Sequence, residues 1–373
     1  MPLKGILTGL GNRGKSWLNT CRENRDVELV AYVEPFAPNR EKAVQEWGVE
    51  AFKIHPTLAD ALSAAKADFV VDVTPPAVHE QVALEAFQAG LHVLGEKPLS
   101  DTRAAARRMA AAGKAAGRRH MVAQNYRFAA APRTLRRLVQ AGQIGKPGFV
   151  DIGFYMAWAD LPGSHYVEKP FMFLTDMGIH HFDMLRYILG TEALSAQGIS
   201  WNPAWGWHKG DASHVLLFRC RDGLVATHRG VGCSVGYKTT YNGDWRIEGP
   251  DGSLTWERDK LFYTKDHRTP EKKRVEIPVD GQPLGALAAI LAEFLVAIRE
   301  KREPECNAAD NLKSLDMVFA AIESIREERE VKLAELKAGK PERTPAPKSK
   351  PSKLAKRKPR KFKAVGKLKA RSK

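Results

Sequence analysis

The strand-like run Leu3-Lys4-Gly5-Ile6-Leu7-Thr8 goes straight into Gly9-Leu10-Gly11-Asn12-Arg13-Gly14. This glycine spacing between a strand and a helix is the fingerprint of a dinucleotide-binding turn. A second strand, Val27 to Val33, ends in Glu34, twenty positions after Gly14, where an acceptor for ribose hydroxyls belongs. Gly9 permits the tight turn, Gly11 lets backbone approach a pyrophosphate, and Gly14 lets the helix starting near Lys15 pack on the strand. The uncovered N–H groups and positive dipole end of that helix face the phosphates.

Strand-helix alternation continues through residue 125. The apolar run Asp68 to Val73 suits a strand buried on both faces and stops at Thr74-Pro75-Pro76. A helix over Val78 to Ala89 follows. The strand Leu91 to Leu94 runs into Gly95-Glu96-Lys97-Pro98, a helix starts near Ser100 or Asp101, and His120 to Ala123 is the last strand. This rhythm predicts an α/β fold with a doubly wound parallel sheet over residues 1–125, its ligands lying beyond the carboxyl ends of the strands. Glu34, Thr74 and Lys97 all fall at such ends. Over residues 126–337 the pattern becomes β-rich: Phe149 to Met156, His214 to Phe218, Leu224 to Arg229 and Trp245 to Glu248, separated by Asp-Gly turns. These segments predict an α+β unit with a large, mainly antiparallel open sheet. Two late helices, 284–300 and 308–336, are expected to close the body, with room to pack back on the first unit.

The net charge of +16 is concentrated in residues 338–373, which hold fifteen Lys and Arg against one acid, Glu342. The remainder is nearly neutral. This Lys/Pro-rich tail buries too little apolar area to offset its ordering entropy and is expected to be a disordered, solvated extension; weak, salt-dependent polyanion binding and a nuclear address are the alternatives its charge leaves open. No apolar run approaches the ~20 residues of a membrane span. The four cysteines are scattered without a C-x-x-C pair, so neither disulfides nor a metal site is expected. With the fingerprint beginning within the first ten residues no signal peptide is expected, and the expected location is cytoplasmic.

Asp176-Met177-Gly178-Ile179-His180-His181-Phe182-Asp183 is expected to open a helix reaching Ile188. On such a helix Asp176, His180, Asp183 and Tyr187 form one stripe, and Met177, His181, Met184, Leu185 and Ile188 form the apolar side. An imidazole one turn from a carboxylate is a natural proton acceptor; alternatively, Asp176 is only a helix cap and His180 an ordinary half-buried histidine. Lys97, at a strand end before Pro98, is either a solvated charge or an ammonium able to stabilise developing alkoxide charge.

Taken together, the chain resembles the glucose–fructose oxidoreductase and inositol dehydrogenase family of NAD(P)-dependent enzymes. The match is carried by Gly9 to Gly14, Glu34, Thr74-Pro75-Pro76-Ala77-Val78-His79, His92 to Pro98, Asp176-x-Gly178-x-His180-x-x-Asp183 and Trp245 to Gly249. The resemblance implies a nicotinamide cofactor among Gly9, Gly11, Asn12, Arg13, Gly14, Glu34, Thr74, Pro75, Pro76, His79, Glu96 and Lys97. It implies hydride transfer at a secondary alcohol or ketone of a sugar, cyclitol or related polyol. In that scheme Lys97 polarises the substrate oxygen, His180 takes the proton, and Asp176 orients His180 or contacts substrate. It also implies a homo-oligomer, dimer or tetramer, built through the open sheet face. One departure is Pro170-Phe171-Met172-Phe173-Leu174-Thr175 in place of a glycine-rich stretch, which points to a reshaped substrate loop.

Glu34 favours NAD, because it would repel a 2′-phosphate; Arg13 and Arg40 leave NADP open. Trp158, Tyr166, Trp207 and His208 are candidates for gripping a sugar ring, with core packing or a subunit interface as the alternative. Asn125, Tyr126 and Arg127, leaving the last strand of the first unit, are expected to border the same pocket. Two other readings compete with a dehydrogenase: a tightly held NAD serving a glycosidase-type reaction, and a non-catalytic dinucleotide-binding protein.

Overall fold

The computed structural model describes residues 1–158, 164–266, 268, 274–281 and 284–337. The first unit runs β1 (Leu3–Thr8), α1 (Asn12–Arg22), β2 (Val27–Val33), α2 (Ala37–Trp47), β3 (Ile54–His55), α3 (Leu58–Ala64), β4 (Phe69–Asp72), α4 (His79–Gln88), β5 (His92–Gly95), α5 (Arg103–Ala115) and β6 (His120–Val122). Its six strands form one parallel sheet ordered β3-β2-β1-β4-β5-β6. The order reverses between β1 and β4, which opens a crevice at their carboxyl ends. All four residues of β4 are buried, as a central parallel strand covered on both faces requires.

The rest of the described chain runs α6 (Ala130–Gln140), β7 (Phe149–Tyr155), α7 (Ile179–Leu189), β8 (Ala193–Trp201), β9 (Ser213–Cys220), β10 (Val225–Val231), β11 (Asp244–Gly249), β12 (Gly252–Glu257), β13 (Lys260–Lys265), β14 (Arg274–Ile277), α8 (Ala286–Arg299), α9 (Ala308–Glu327), β15 (Val331–Lys332) and α10 (Leu333–Lys337). Nine strands form a second sheet, β14-β13-β12-β11-β7-β10-β9-β8-β15, antiparallel except for the β7–β10 pair. Alternation sets its two faces. Ile152, Phe218, Trp245, Ile247 and Trp256 are buried with α7, whereas Arg229 and Arg246 point the other way. α8 crosses back to the first sheet, where Phe294 meets Phe69 edge-on at 5.7 Å and Leu291 and Leu295 join Trp17 and Leu94.

The expected helix start at Asp176 is corrected. Helical backbone begins at Met172, and Phe173–Gly178 is a π-helical stretch leading into α7. Met172, Phe173 and Leu174 are buried, so the segment that departs from the family pattern is largely core rather than loop. The wider turns shift the face that Asp176 presents, and π-helical insertions of this kind are frequent at functional sites. The expected single stripe also splits. Every residue from Ile179 to Ile188 is buried, and Asp183 turns towards Arg127 in a bidentate pair of 2.6 and 2.5 Å. Arg186 pairs with Asp310 at 2.6 Å and Glu192 at 2.7 Å, and Ser314 Oγ donates to Asp183 at 3.0 Å. Asp183 is thus an anchor that ties α7 to Arg127 and, through Ser314, to α9.

No sequence signal marked a chain of three buried imidazoles under α7. His181 Nδ1 lies 2.9 Å from His228 Nε2, and His228 Nδ1 lies 2.8 Å from His214 Nε2. His181 Nε2 lies 3.0 Å from the carbonyl oxygen of Tyr241, which can only accept. His181 and His228 therefore donate through Nε2 and accept through Nδ1, His214 donates through Nε2, and all three are neutral. Burial pushes His181 down to about 4 and His214 to about 3, and holds His228 well below its usual range.

The expected consequence is acid lability. His92, pushed to about 4, His120, pushed to about 3, and His180 are also depressed by burial. Unfolded histidines bind protons below about pH 6.5, whereas these folded ones do not. Stability is therefore complete above that pH and falls as pH drops towards 4, at about 1.4 kcal/mol per pH unit for each such histidine. The lowered carboxylates Asp310 and Glu293 act only at more acid pH. Urea titrations between pH 7.5 and 5 should show proton uptake of several equivalents on unfolding, reduced by about one in His120→Phe. A pH-independent midpoint across that range would contradict the neutral core.

Candidate active site

The crevice between β1 and β4 is shaped by steric necessity. Gly9 has φ +87°, and a Cβ there would sit 2.7 Å from Val73 O; a Cβ on Gly14 would sit 2.2 Å from Gly9 O. Around Gly11 the corresponding space is open. Helix α1 has no side-chain cap and no acid in its first turn, so its leading N–H groups and dipole remain available to an anion. These features fit a pyrophosphate group. Asn12 and Arg13 lie in that first turn.

Glu34 is 5% exposed, and its carboxylate accepts from Leu10 N at 2.8 Å, Phe36 N at 3.0 Å and Asn39 Nδ2 at 3.1 Å. It therefore ties the glycine turn to the start of α2, leaving about one of its four lone-pair positions for a ribose hydroxyl. Arg40 donates to the carbonyls of Glu34 and Pro35, at 3.0 and 2.6 Å. Arg13 is paired with Glu96 at 2.5 Å, and Trp17 Nε1 donates to the same oxygen at 2.7 Å. Thr74 donates its backbone N–H and its hydroxyl to Asp72, at 3.0 and 2.7 Å, which holds the Thr74-Pro75-Pro76 turn at the rim. His79 is corrected from a cofactor contact to an internal clasp. It is buried, with Nε2 2.8 Å from Thr74 O and Nδ1 3.1 Å from Pro98 O, so it joins two rim turns.

Lys97 follows β5, and its peptide bond to Pro98 is cis. Its Nζ donates to both the backbone oxygen and Oδ1 of Asp176, each at 3.0 Å. The ammonium of the first unit thus reaches the segment that carries His180. His180 is 4% exposed and lies under Tyr126, the rings stacked at 4.1 Å and 9°. Burial first, then the positive charges of Lys97 and Arg13, holds His180 well below its ordinary range, so it is a free base at neutral pH. The expectation that Asp176 orients this ring is not met: the carboxylate goes to Lys97, and His180 Nδ1 is buried without a partner.

Aromatic side chains flank this cluster. Trp158 meets Tyr166 edge-on at 5.9 Å and Tyr241 at 5.6 Å. Tyr166 and Tyr126 are raised by burial and, further, by the charge of Asp176. Trp207 lies behind this wall, its indole N–H spent on Trp158 O at 2.8 Å, and His208 is buried beside it, the rings 5.5 Å apart. Tyr241 is an addition, since no motif marked it. Asn125 opens the 3-10 turn carrying Tyr126, but Arg127 on the same turn points away. It is buried on Asp183 and lines a different cavity of about 470 Å³ with Arg133, Arg136 and Arg186. Its expected substrate role is therefore replaced by an anchoring one. Asp183, Asp310 and Cys306 cluster closely enough to suggest a metal, but the guanidinium groups of Arg127 and Arg186 already hold both carboxylates.

Residues 338–373, with their expected polyanion binding, lie outside the described residues. Among the described residues no helix is long and apolar enough to cross a membrane.

Comparison with known proteins agrees with this geometry. The pattern described as "Oxidoreductase family, NAD-binding Rossmann fold" matches residues 3–124, and the GFO/IDH/MocA C-terminal domain matches residues 133–255. D-apiose dehydrogenase from Paraburkholderia graminis is 28% identical, the alignment covering 91% of this chain and 92% of that protein. Inositol 2-dehydrogenase from Rhizobium meliloti is 27% identical over 90% of this chain and 100% of its own. An Agrobacterium radiobacter oxidoreductase, solved with NAD+, L-tartaric acid and magnesium, shares the fold at TM-score 0.81 and 20% identity, covering 90% of this chain and all of that one. The chain is an oxidoreductase with an NAD-binding Rossmann domain, and it belongs to the glucose–fructose oxidoreductase, inositol dehydrogenase and MocA family.

Proposed function

We propose that the protein is an NAD-dependent dehydrogenase interconverting a secondary alcohol and a ketone on an uncharged sugar or cyclitol. The observation that carries this reading is the meeting of Lys97, Asp176 and the neutral His180 beside an aromatic wall. Bound NAD supplies the two-electron acceptor. Lys97 donates a hydrogen bond to the reacting oxygen, and Asp176 keeps the ammonium in place and limits its charge. His180, already deprotonated, takes the hydroxyl proton and returns it in the reverse direction. Tyr126 fixes the plane of the imidazole by stacking. Trp158 and Tyr166 cover the C–H faces of the ring, as aromatic faces do for carbohydrates. Relatives named for inositol and D-apiose support the substrate class.

NADH formation with myo-inositol, D-apiose and levoglucosan tests the reaction. Lys97→Met and His180→Ala should each lower kcat by about 10²–10⁴ while NAD affinity stays within about twofold. Because His180 is depressed, kcat/KM for oxidation should hold its plateau through pH 6.5 and decline only at lower pH. Undiminished turnover in both variants would exclude the assignment.

Cofactor choice rests on Glu34. Glu34→Ala removes the ribose acceptor and frees three donors, so NAD should bind about tenfold more weakly or worse, a loss of at least ~1.4 kcal/mol, while NADP binding is not weakened in proportion. Fluorescence titration with each dinucleotide reads the ratio, and an unchanged ratio would remove Glu34 from discrimination.

The open face of the second sheet is the proposed homo-oligomer contact, because Ile199 and Val215, paired across β8 and β9, are 65% and 39% exposed and Phe149 is 38% exposed. Ile199→Asp should shift the molecular mass measured by light scattering towards the monomer.

A further inference from the structure

The three-histidine chain ends on a residue of the active-site wall, and this connection is the basis of the inference. His181 follows His180 in the chain, yet its ring turns away from Tyr126 and into the sheet, where Phe154 and Trp245 meet it edge-on at 4.7 and 6.5 Å. It is the donor to the Tyr241 carbonyl, and its own acceptor nitrogen is filled by His228, which is filled in turn by His214 on the neighbouring strand. The segment around Tyr241 is pinned at its flanks. Thr239 N donates to Tyr155 O at 3.0 Å, Asn242 Nδ2 to Asp259 at 2.7 Å, Trp245 Nε1 to Asn242 O at 2.8 Å and Gly243 N to Thr240 O at 3.1 Å. The bond to the peptide of Tyr241 itself comes from His181.

Tyr241 is 50% exposed, with its ring edge-on to Trp158. Its phenol contributes to the raised proton affinity of Tyr126, the residue stacked on His180. The side chain is part of the aromatic wall through Trp158, with half its surface free to meet a ligand. We propose that Tyr241 is a specificity-determining residue of the substrate pocket, and that the His181–His228–His214 chain is the device that positions it. This rests on the polyol reading for the ligand, but not for the positioning. Buried imidazoles suit the task because each neutral ring is both a donor and an acceptor in a fixed plane. A relay of three carries the tie from β9 to the loop with no charge placed in the core.

Two measurements separate the parts. Hydrogen exchange at the Thr239 and Gly243 amides reads the position of the segment without any substrate. His181→Leu should accelerate it about tenfold. His181→Gln should leave it near the wild-type rate, because the amide can donate to Tyr241 and accept from His228. Unchanged protection in a folded His181→Leu protein, or equal loss in both variants, overturns the positioning role. Tyr241→Ala tests the pocket and, being half exposed, leaves the core intact: KM for the sugar oxidised among the three above should rise about tenfold, with kcat within twofold and NAD affinity unchanged. A KM equal to wild type overturns the specificity role. If none of the three sugars is oxidised, the polyol reading fails, and the exchange measurement alone decides whether the histidine chain holds Tyr241.

Discussion

The contact on which the active-site arrangement depends is the one between Lys97 and Asp176. It joins the end of β5 to the start of α7 across 79 positions of sequence, and it uses both the backbone and the side chain of the acid. A lysine bonded only to a carboxylate could swing with it. One bonded also to a main-chain oxygen is held relative to the helix. The two sheets thereby bring an ammonium and an imidazole to one place, although neither sheet contains both. Asp176 lies within the π-helical turn ahead of α7, and its carbonyl accepts from Lys97 there.

That arrangement needs α7 to stay still, and a set of buried charges secures it. Burying Arg127 against Asp183 gives up hydration that the pair alone barely recovers. The bidentate geometry, the bond from Ser314 and the neighbouring Arg186–Asp310 pair satisfy the remaining donors and acceptors. Removing one partner would leave the other charge stranded in the core. The network thus favours one position of the helix over any slipped one, at a net energy that is small while the set is whole. Tyr126 and Arg127 are adjacent, so the residue that stacks on His180 is carried by the residue that grips Asp183. Packing and chemistry are coupled across one peptide bond.

The parallel sheet was legible in the sequence because its signals are local. The glycine turn, the apolar runs of β4 and β5 and the Thr-Pro-Pro and Lys-Pro stops each follow from backbone sterics and burial within a few residues. Strands β7, β9, β10 and β11 were visible by alternation, whereas β8 and β12 to β15 carry weaker or shorter patterns. The residues Lys97, Asp176 and His180 stood out as motif positions. Their partners did not, because a partner is fixed by tertiary approach. Asp176 reads as the orienter of His180 from helical spacing, and only the π-turn redirects it. Arg127 reads as a pocket residue from its place after β6, and only the proximity of α7 draws it inside. His181 looks like filler on an apolar face, and its line to His228 and His214 exists only once two strands have paired.

Charge balance at the site limits what can bind there. Lys97 has Asp176 and Arg13 has Glu96, so the two cations nearest His180 are each matched by an acid before any substrate arrives. A free ammonium in a pocket this buried would attract a carboxylate or phosphate strongly, and it would hold that group in a fixed place at the expense of the alcohol carbon. With the charges matched, discrimination falls to hydrogen bonds and ring faces, where an extra or missing hydroxyl is recognised by the polar group it leaves unpaired. Neutral His180 completes this balance. Were it protonated, the pocket would carry a net positive charge and lack a proton acceptor. The burial that lowers its proton affinity thus keeps both the base and the electroneutrality that the proposed polyol chemistry requires.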